Sequence, residues 1–215
     1  MSAAMTRTRP VGRTLRFIIL LLARWTCPNN RPTYPTYLMC RIGTAKFFTL
    51  LLLLCHTSVK SSGLKSDIEK LNNELNASGI YAEILCQCES RAVVIVYRKD
   101  VLERHLGLKC HRDFLATFGY PETGTVSDYF DVLKKRLGCK RFPHEIGVFL
   151  GYPLNDVKSF INDPNEGCLL VGEWKVYHDR EEAEKLFGRY NSCRKALVRQ
   201  ITERGKTLAE IFAAA

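Results

Sequence analysis

Two places in the chain put an imidazole next to a carboxylate, His144-Glu145 and His178-Asp179. These are the materials of proton transfer, because an imidazole held by a carboxylate can give and take a proton near neutral pH. Neighbours on a helix point about 100° apart at 3.6 residues per turn. Adjacency alone therefore makes no preformed dyad, and either carboxylate serves equally well in the first turn of a helix, where negative charge is favoured. The second place sits in the run Gly172-Glu-Trp-Lys-Val-Tyr-His-Asp179, which concentrates Trp174, Lys175, Tyr177 and His178 beside a glycine. Strand alternation puts Trp174 and Val176 on a core face and Lys175 and Tyr177 on a face free to line a site. Candidate ligand-binding residues are thus His144, Glu145, Tyr152, Trp174, Lys175, Tyr177 and His178.

Nine cysteines are spread along the chain. Cys86-Gln-Cys88 lacks the two-residue gap that lets two thiolates hold one zinc, and no Cys-x-x-Cys redox pair occurs. Cys110, Cys139, Cys168 and Cys193 are the thiols that folding could still gather into a metal or redox centre. Their spacing does not require it. No glycine-rich phosphate loop and no Gly-x-Ser-x-Gly elbow is present. No catalytic residue or cofactor follows from the residues.

The segment Pro143–Phe160 (PHEIGVFLGYPLNDVKSF) has the apolar spacing of two helices meeting at a glycine turn, with Gly147 small enough for their crossing. As a reader of DNA its second helix is poorly equipped. It offers Asn155, Asp156 and Lys158, and acidic Asp163 and Glu166 follow. A helical corner packed on a sheet is the better reading.

The elements that must position these groups read as an α+β domain. Helical periodicity covers Ser66–Asn76, and Ile80–Leu85 and Ala92–Tyr97 form an antiparallel hairpin whose second strand is apolar enough to be buried on both faces. Short helices are expected at Lys99–Leu106, His111–Phe118, Pro143–Leu150 and Leu154–Ile161, and a longer amphipathic one at Val126–Leu137. Cys168–Val171 and Trp174–Tyr177 look extended. A long C-terminal helix follows, capped by Asp179 with Glu182 three residues on, and striped by Ala183, Leu186, Phe187, Tyr190, Cys193, Leu197 and Ile201. The sheet is small, antiparallel or mixed, and covered by helices.

A net charge of +10 first suggests a polyanionic partner, but residues 1–60 hold nine of the 32 basic residues and no acidic one. The remainder carries 23 basic against 22 acidic residues, so the domain has no footprint for nucleic acid. A small molecule or a protein is the expected partner. The apolar runs Phe17–Ala23 and Phe47–Cys55 are each shorter than the roughly 20 residues of a membrane span, and each has the size of a signal-peptide core. Residues 1–36, rich in arginine and interrupted by prolines, read as a disordered, targeting-like or spurious extension. Residues 37–215 read as one domain. Scattered thiols in odd number point to a reducing compartment, hence the cytoplasm, with export through the signal-like segment as the alternative.

Three blocks, RAVVIVYRKDVLERHL (91–106), FPHEIGVFLGYPLNDVKSFI (142–161) and GEWKVYHDREEAEKLFGRYNSC (172–193), resemble a bacterial family common in clostridia, domain of unknown function 3793. More weakly, CRIGTAKFFTL (40–50) is similar to that family's opening Gly-x-Lys-x-Ala-x-Leu-Phe segment, with Thr44 in place of the lysine. The resemblance implies a cytoplasmic protein in which 40–50 opens the domain as its first helix and the Phe47–Cys55 run is core. It implies no activity, substrate or cofactor.

Overall fold

The protein is described by a computed structural model covering residues 39–42, 48–55, 61–88, 91–138 and 141–213. The expected extension at 1–36, the first apolar run and Cys139 lie outside the described residues.

Four strands make the main sheet: β1 (Met39–Ile42), β2 (Phe48–Cys55), β3 (Ile80–Gln87) and β4 (Arg91–Arg98). Their order is β1-β2-β4-β3 and every pairing is antiparallel. Residues 40–42 and 48–50, expected within a first helix, are strand instead, and the apolar run is β2, paired with β4 from Thr49↔Tyr97 to Cys55↔Arg91. A short unbroken apolar run has no period to separate helix from inner strand, and eight residues suit a strand flanked on both edges.

β4 divides two cores. Its Val93, Ile95 and Tyr97 point to one side, Ala92, Val94 and Val96 to the other, and all six are buried. Over the second side lie α1 (Ser61–Leu75), the C-terminal part of α7 (Arg180–Thr202) and α8 (Leu208–Ala213), contributing Leu64, Ile68, Leu71, Leu197 and Leu208. The first side is covered by α2 (Lys99–Leu106), α3 (Lys109–Ala116), α4 (Val126–Leu137), the single turn α5 (Ile146–Phe149) and α6 (Leu154–Asn162). A two-stranded ribbon, β5 (Leu170–Val171) with β6 (Lys175–Val176), links α6 to α7. Helices on both faces of an antiparallel sheet make this an α+β fold.

Local chemistry explains several boundaries. Thr125 and Asp128 form a reciprocal capping box at the start of α4. Gly147 is required where α5 meets α6, because a Cβ there would lie 2.8 Å from Val157 Cγ2 and 3.1 Å from Tyr152 Cδ2. Asp179 does occupy the N-cap of α7, but with φ 49° and without a side-chain cap bond, and Glu182 pairs with Lys185 instead. The expected capping box is absent there. Of the α7 stripe, Ala183, Tyr190 and Leu197 are buried, joined by Arg194 at 3% exposure.

Candidate functional site

Asp156 on α6 is 2% exposed and organises the region. Its Oδ2 accepts from Trp174 Nε1 at 2.7 Å. Its Oδ1 accepts from the backbone N–H of Tyr177 at 2.9 Å and of His178 at 3.0 Å, and lies 3.1 Å from His178 Nδ1. A buried carboxylate is tolerated when several donors replace its water. Here they fasten the β6 end of the ribbon to α6. The carboxylate also selects the His178 tautomer with Nδ1 protonated, which leaves Nε2 as the basic atom on a half-exposed ring. The imidazole–carboxylate pair anticipated between adjacent residues thus exists, but its carboxylate is Asp156, 22 positions back in sequence. No short-range pattern reveals that, because the partners meet only through the ribbon's return.

The other candidates divide into those under the surface and those on it. Glu145, 1% exposed, accepts from Arg136 Nε and from the Tyr120 hydroxyl at 3.2 Å, so it is a structural ion-pair partner. Burial, and then the Glu145 carboxylate, push the Tyr120 phenol far above its usual range. Tyr152 stacks on Trp174 with ring centroids 4.9 Å apart and donates to the Glu173 carbonyl at 3.2 Å. Glu173 in turn pairs with buried Arg194 at 2.8 Å, a tie to α7 that a charged residue inside an apolar stripe should have suggested. Tyr177 is buried and donates to the Pro164 carbonyl at 2.9 Å; burial raises its pKa.

Lys175 and His144 reach the surface and meet across Phe160. Lys175 Nζ lies 5.9 Å from the Phe160 ring centroid and is pinned by the Pro164 carbonyl at 2.7 Å. The exposed His144 ring packs against Phe160 at 5.0 Å and Phe142 at 5.8 Å. Across the ribbon Lys175 faces Val171, which is 71% exposed, and Phe142 is 47% exposed. The result is one continuous row, Val171–Lys175–Phe160–His144–Phe142, alternating apolar and basic groups. Asp156, which holds His178, and Phe160 of the row lie four residues apart on α6, about 6 Å along its axis. Phe142, Phe160 and Val171 are not among the expected residues; a single apolar side chain carries no sequence pattern that says whether folding leaves it at the surface.

Among the described residues the thiols do not converge into a ligand set. Cys110 is exposed, Cys168 and Cys193 are half-buried, and among the described residues no group of three or more His, Cys, Asp or Glu side chains is arranged to hold a metal. No helix among the described residues is long and apolar enough to cross a membrane. In the helical corner, Lys158 lies 5.6 Å from the Phe114 ring and Asp156 is turned inward.

Residues 36–212 match the family model described as Protein of unknown function (DUF3793), and the chain belongs to that family. The chain matches no curated protein and no solved structure.

Proposed function

We propose that this domain is a recognition module whose row Val171–Lys175–Phe160–His144–Phe142 engages an extended, acidic and partly apolar segment of a protein partner. The supporting observation is the row itself. Exposed apolar groups at both ends and a pinned cation between them have no folding role that requires their exposure. Its elongated form suits an extended peptide, and the basic groups select for carboxylates in it. His178, oriented by Asp156, adds a polar contact beside the row.

The test uses the full chain and synthetic peptides that alternate Glu with Leu or Phe, followed by amide and imidazole NMR shifts. Shifts concentrated on His144, Phe160, Lys175 and Val171, lost in Lys175→Glu, are the expected result. Shifts elsewhere, or a Lys175→Glu chain that binds as the original does, would overturn the reading.

A further inference from the structure

A second site lies away from that surface, where the end of α2, the start of α4 and the side of α3 converge. Glu103, Leu106, Gly107, Arg112, Thr123, Gly124, Val126 and Tyr129 line an open cavity of about 280 Å³ there. Its floor is apolar, from Leu106 and Val126, both buried. Two polar groups in it are unmatched by the protein. Tyr129 is only 2% exposed, yet its hydroxyl has no hydrogen-bond partner among the described residues. Arg112, half-buried, makes no ion pair among them, although other basic side chains on α2 and α3, Lys99, Arg104 and Lys109, each have a carboxylate within 4.0 Å. Arg112 is also close enough to act electrostatically on Tyr129, opposing the upward shift that burial gives the phenol.

Tyr129 lines the cavity, and a phenolic hydroxyl there can donate a hydrogen bond to an oxygen of a bound molecule. A guanidinium presents a planar fork that matches a carboxylate. Together over an apolar floor they form a receptor for one negative charge carried on a small apolar body. At about 280 Å³ the cavity falls just short of the roughly 300–1,000 Å³ of drug-sized sites, so it suits a small molecule. Glu103 on its rim disfavours a dianion and offers an acceptor to an ammonium group.

We infer that this cleft binds a small organic monocarboxylate with an apolar body, its carboxylate held by Arg112 and Tyr129. The site is independent of the peptide-binding row, and neither fails with the other.

Calorimetric titration of the full chain with benzoate, phenylacetate, leucine and phenylalanine, with inorganic phosphate as the control, tests it. At least one carboxylate should bind with a dissociation constant below about 1 mM, and phosphate should not compete. Arg112→Gln should weaken binding at least tenfold and Tyr129→Phe severalfold, with the melting temperature of Arg112→Gln unchanged because that guanidinium has no ion pair to lose. If the amino acids bind and the simple acids do not, Glu103→Gln should cancel the preference, which assigns Glu103 to the ammonium. No binding by any of the four carboxylates at 10 mM, or binding that survives both Arg112→Gln and Tyr129→Phe, overturns the inference.

Discussion

Replacing Asp156 by Asn changes one atom of the carboxylate and tests whether that group holds the ribbon to α6. The amide keeps one acceptor. If its oxygen stays at the Oδ1 position, it retains Tyr177 N–H, His178 N–H and the imidazole, and the new NH2 then faces Trp174 Nε1 at the 2.7 Å contact. Two donors confront each other in a buried place, and an unsatisfied buried donor costs about 1–3 kcal/mol. The three surviving bonds lose their charge assistance, which roughly halves each, at about 0.5–1 kcal/mol apiece. Burying a neutral amide in place of a carboxylate offsets part of this. The expected loss is about 3–4 kcal/mol, which for a chain of this size lowers the melting temperature by roughly 6–16 °C. Trp174→Phe removes the confronted donor and one charge-assisted bond, costing about 1.5–3 kcal/mol alone. In the double variant the amide no longer meets the indole N–H, so its cost should fall short of the sum by about 1 kcal/mol or more. Urea unfolding followed by circular dichroism measures all four corners of the cycle. An Asp156→Asn loss under 1 kcal/mol, or strict additivity, would refute this account of the carboxylate.

Three further predictions concern the surroundings. Glu145→Ala should cost about 2–4 kcal/mol, at the lower side of what breaking a buried pair costs, because the Arg136 side chain is one-third exposed and regains water. Glu145→Gln should cost about 1 kcal/mol, since the Oε1 that accepts from both Arg136 and Tyr120 survives; equal losses would contradict this. Gly172→Ala should lower stability by about 1–3 kcal/mol, because its Cβ would lie 2.1 Å from Phe187 Cε2, and Phe187→Leu should restore part of it in thermal melts. Burial raises the phenols of Tyr97, Tyr120, Tyr129 and Tyr177. A raised folded-state pKa gives stability that is full below the unfolded value near 10 and is lost as pH climbs above it. Phenolate absorbance should therefore lag for these four and rise together with unfolding; a single ordinary titration of all nine tyrosines in folded protein would refute it.

Where a residue's role is set by its neighbours in sequence, it was readable beforehand. Ala92–Tyr97 announced a strand buried on both faces, Val126–Leu137 was bounded as observed, and Gly147 was legible because the crossing of two short helices leaves no room for a side chain. The α7 start failed for the opposite reason. Asp179 and Glu182 have the spacing of a capping box, but Asp179 is held in a left-handed conformation directly after the Asp156-bound His178, and its side chain makes no cap bond. The first helix expected at 40–50 is strand at 40–42 and 48–50, because an apolar strand paired on both edges shows no alternation to distinguish it from helix.

The candidate sites show the same division more sharply. His144, Lys175 and His178 stand out in the sequence because ionisable and aromatic residues near glycines cluster at element boundaries, and all three reach the surface. The reading could not tell which of their companions would be turned inward, and Glu145, Tyr152, Trp174 and Tyr177 proved to be the supports beneath them. In the sequence Asp156 reads as one acidic residue of the corner's second helix, an argument against DNA binding. Its true partners are two backbone N–H groups and two rings that arrive 18 to 22 residues later. Arg112 and Tyr129 were invisible for a related reason: what marks them is the absence of a protein partner, and a sequence records which groups are present but not which of them folding leaves unmatched. In the inferred cleft the Tyr129 phenol opens onto the cavity and can donate to a ligand, and the guanidinium beside it, without an ion pair among the described residues, favours a negative charge there.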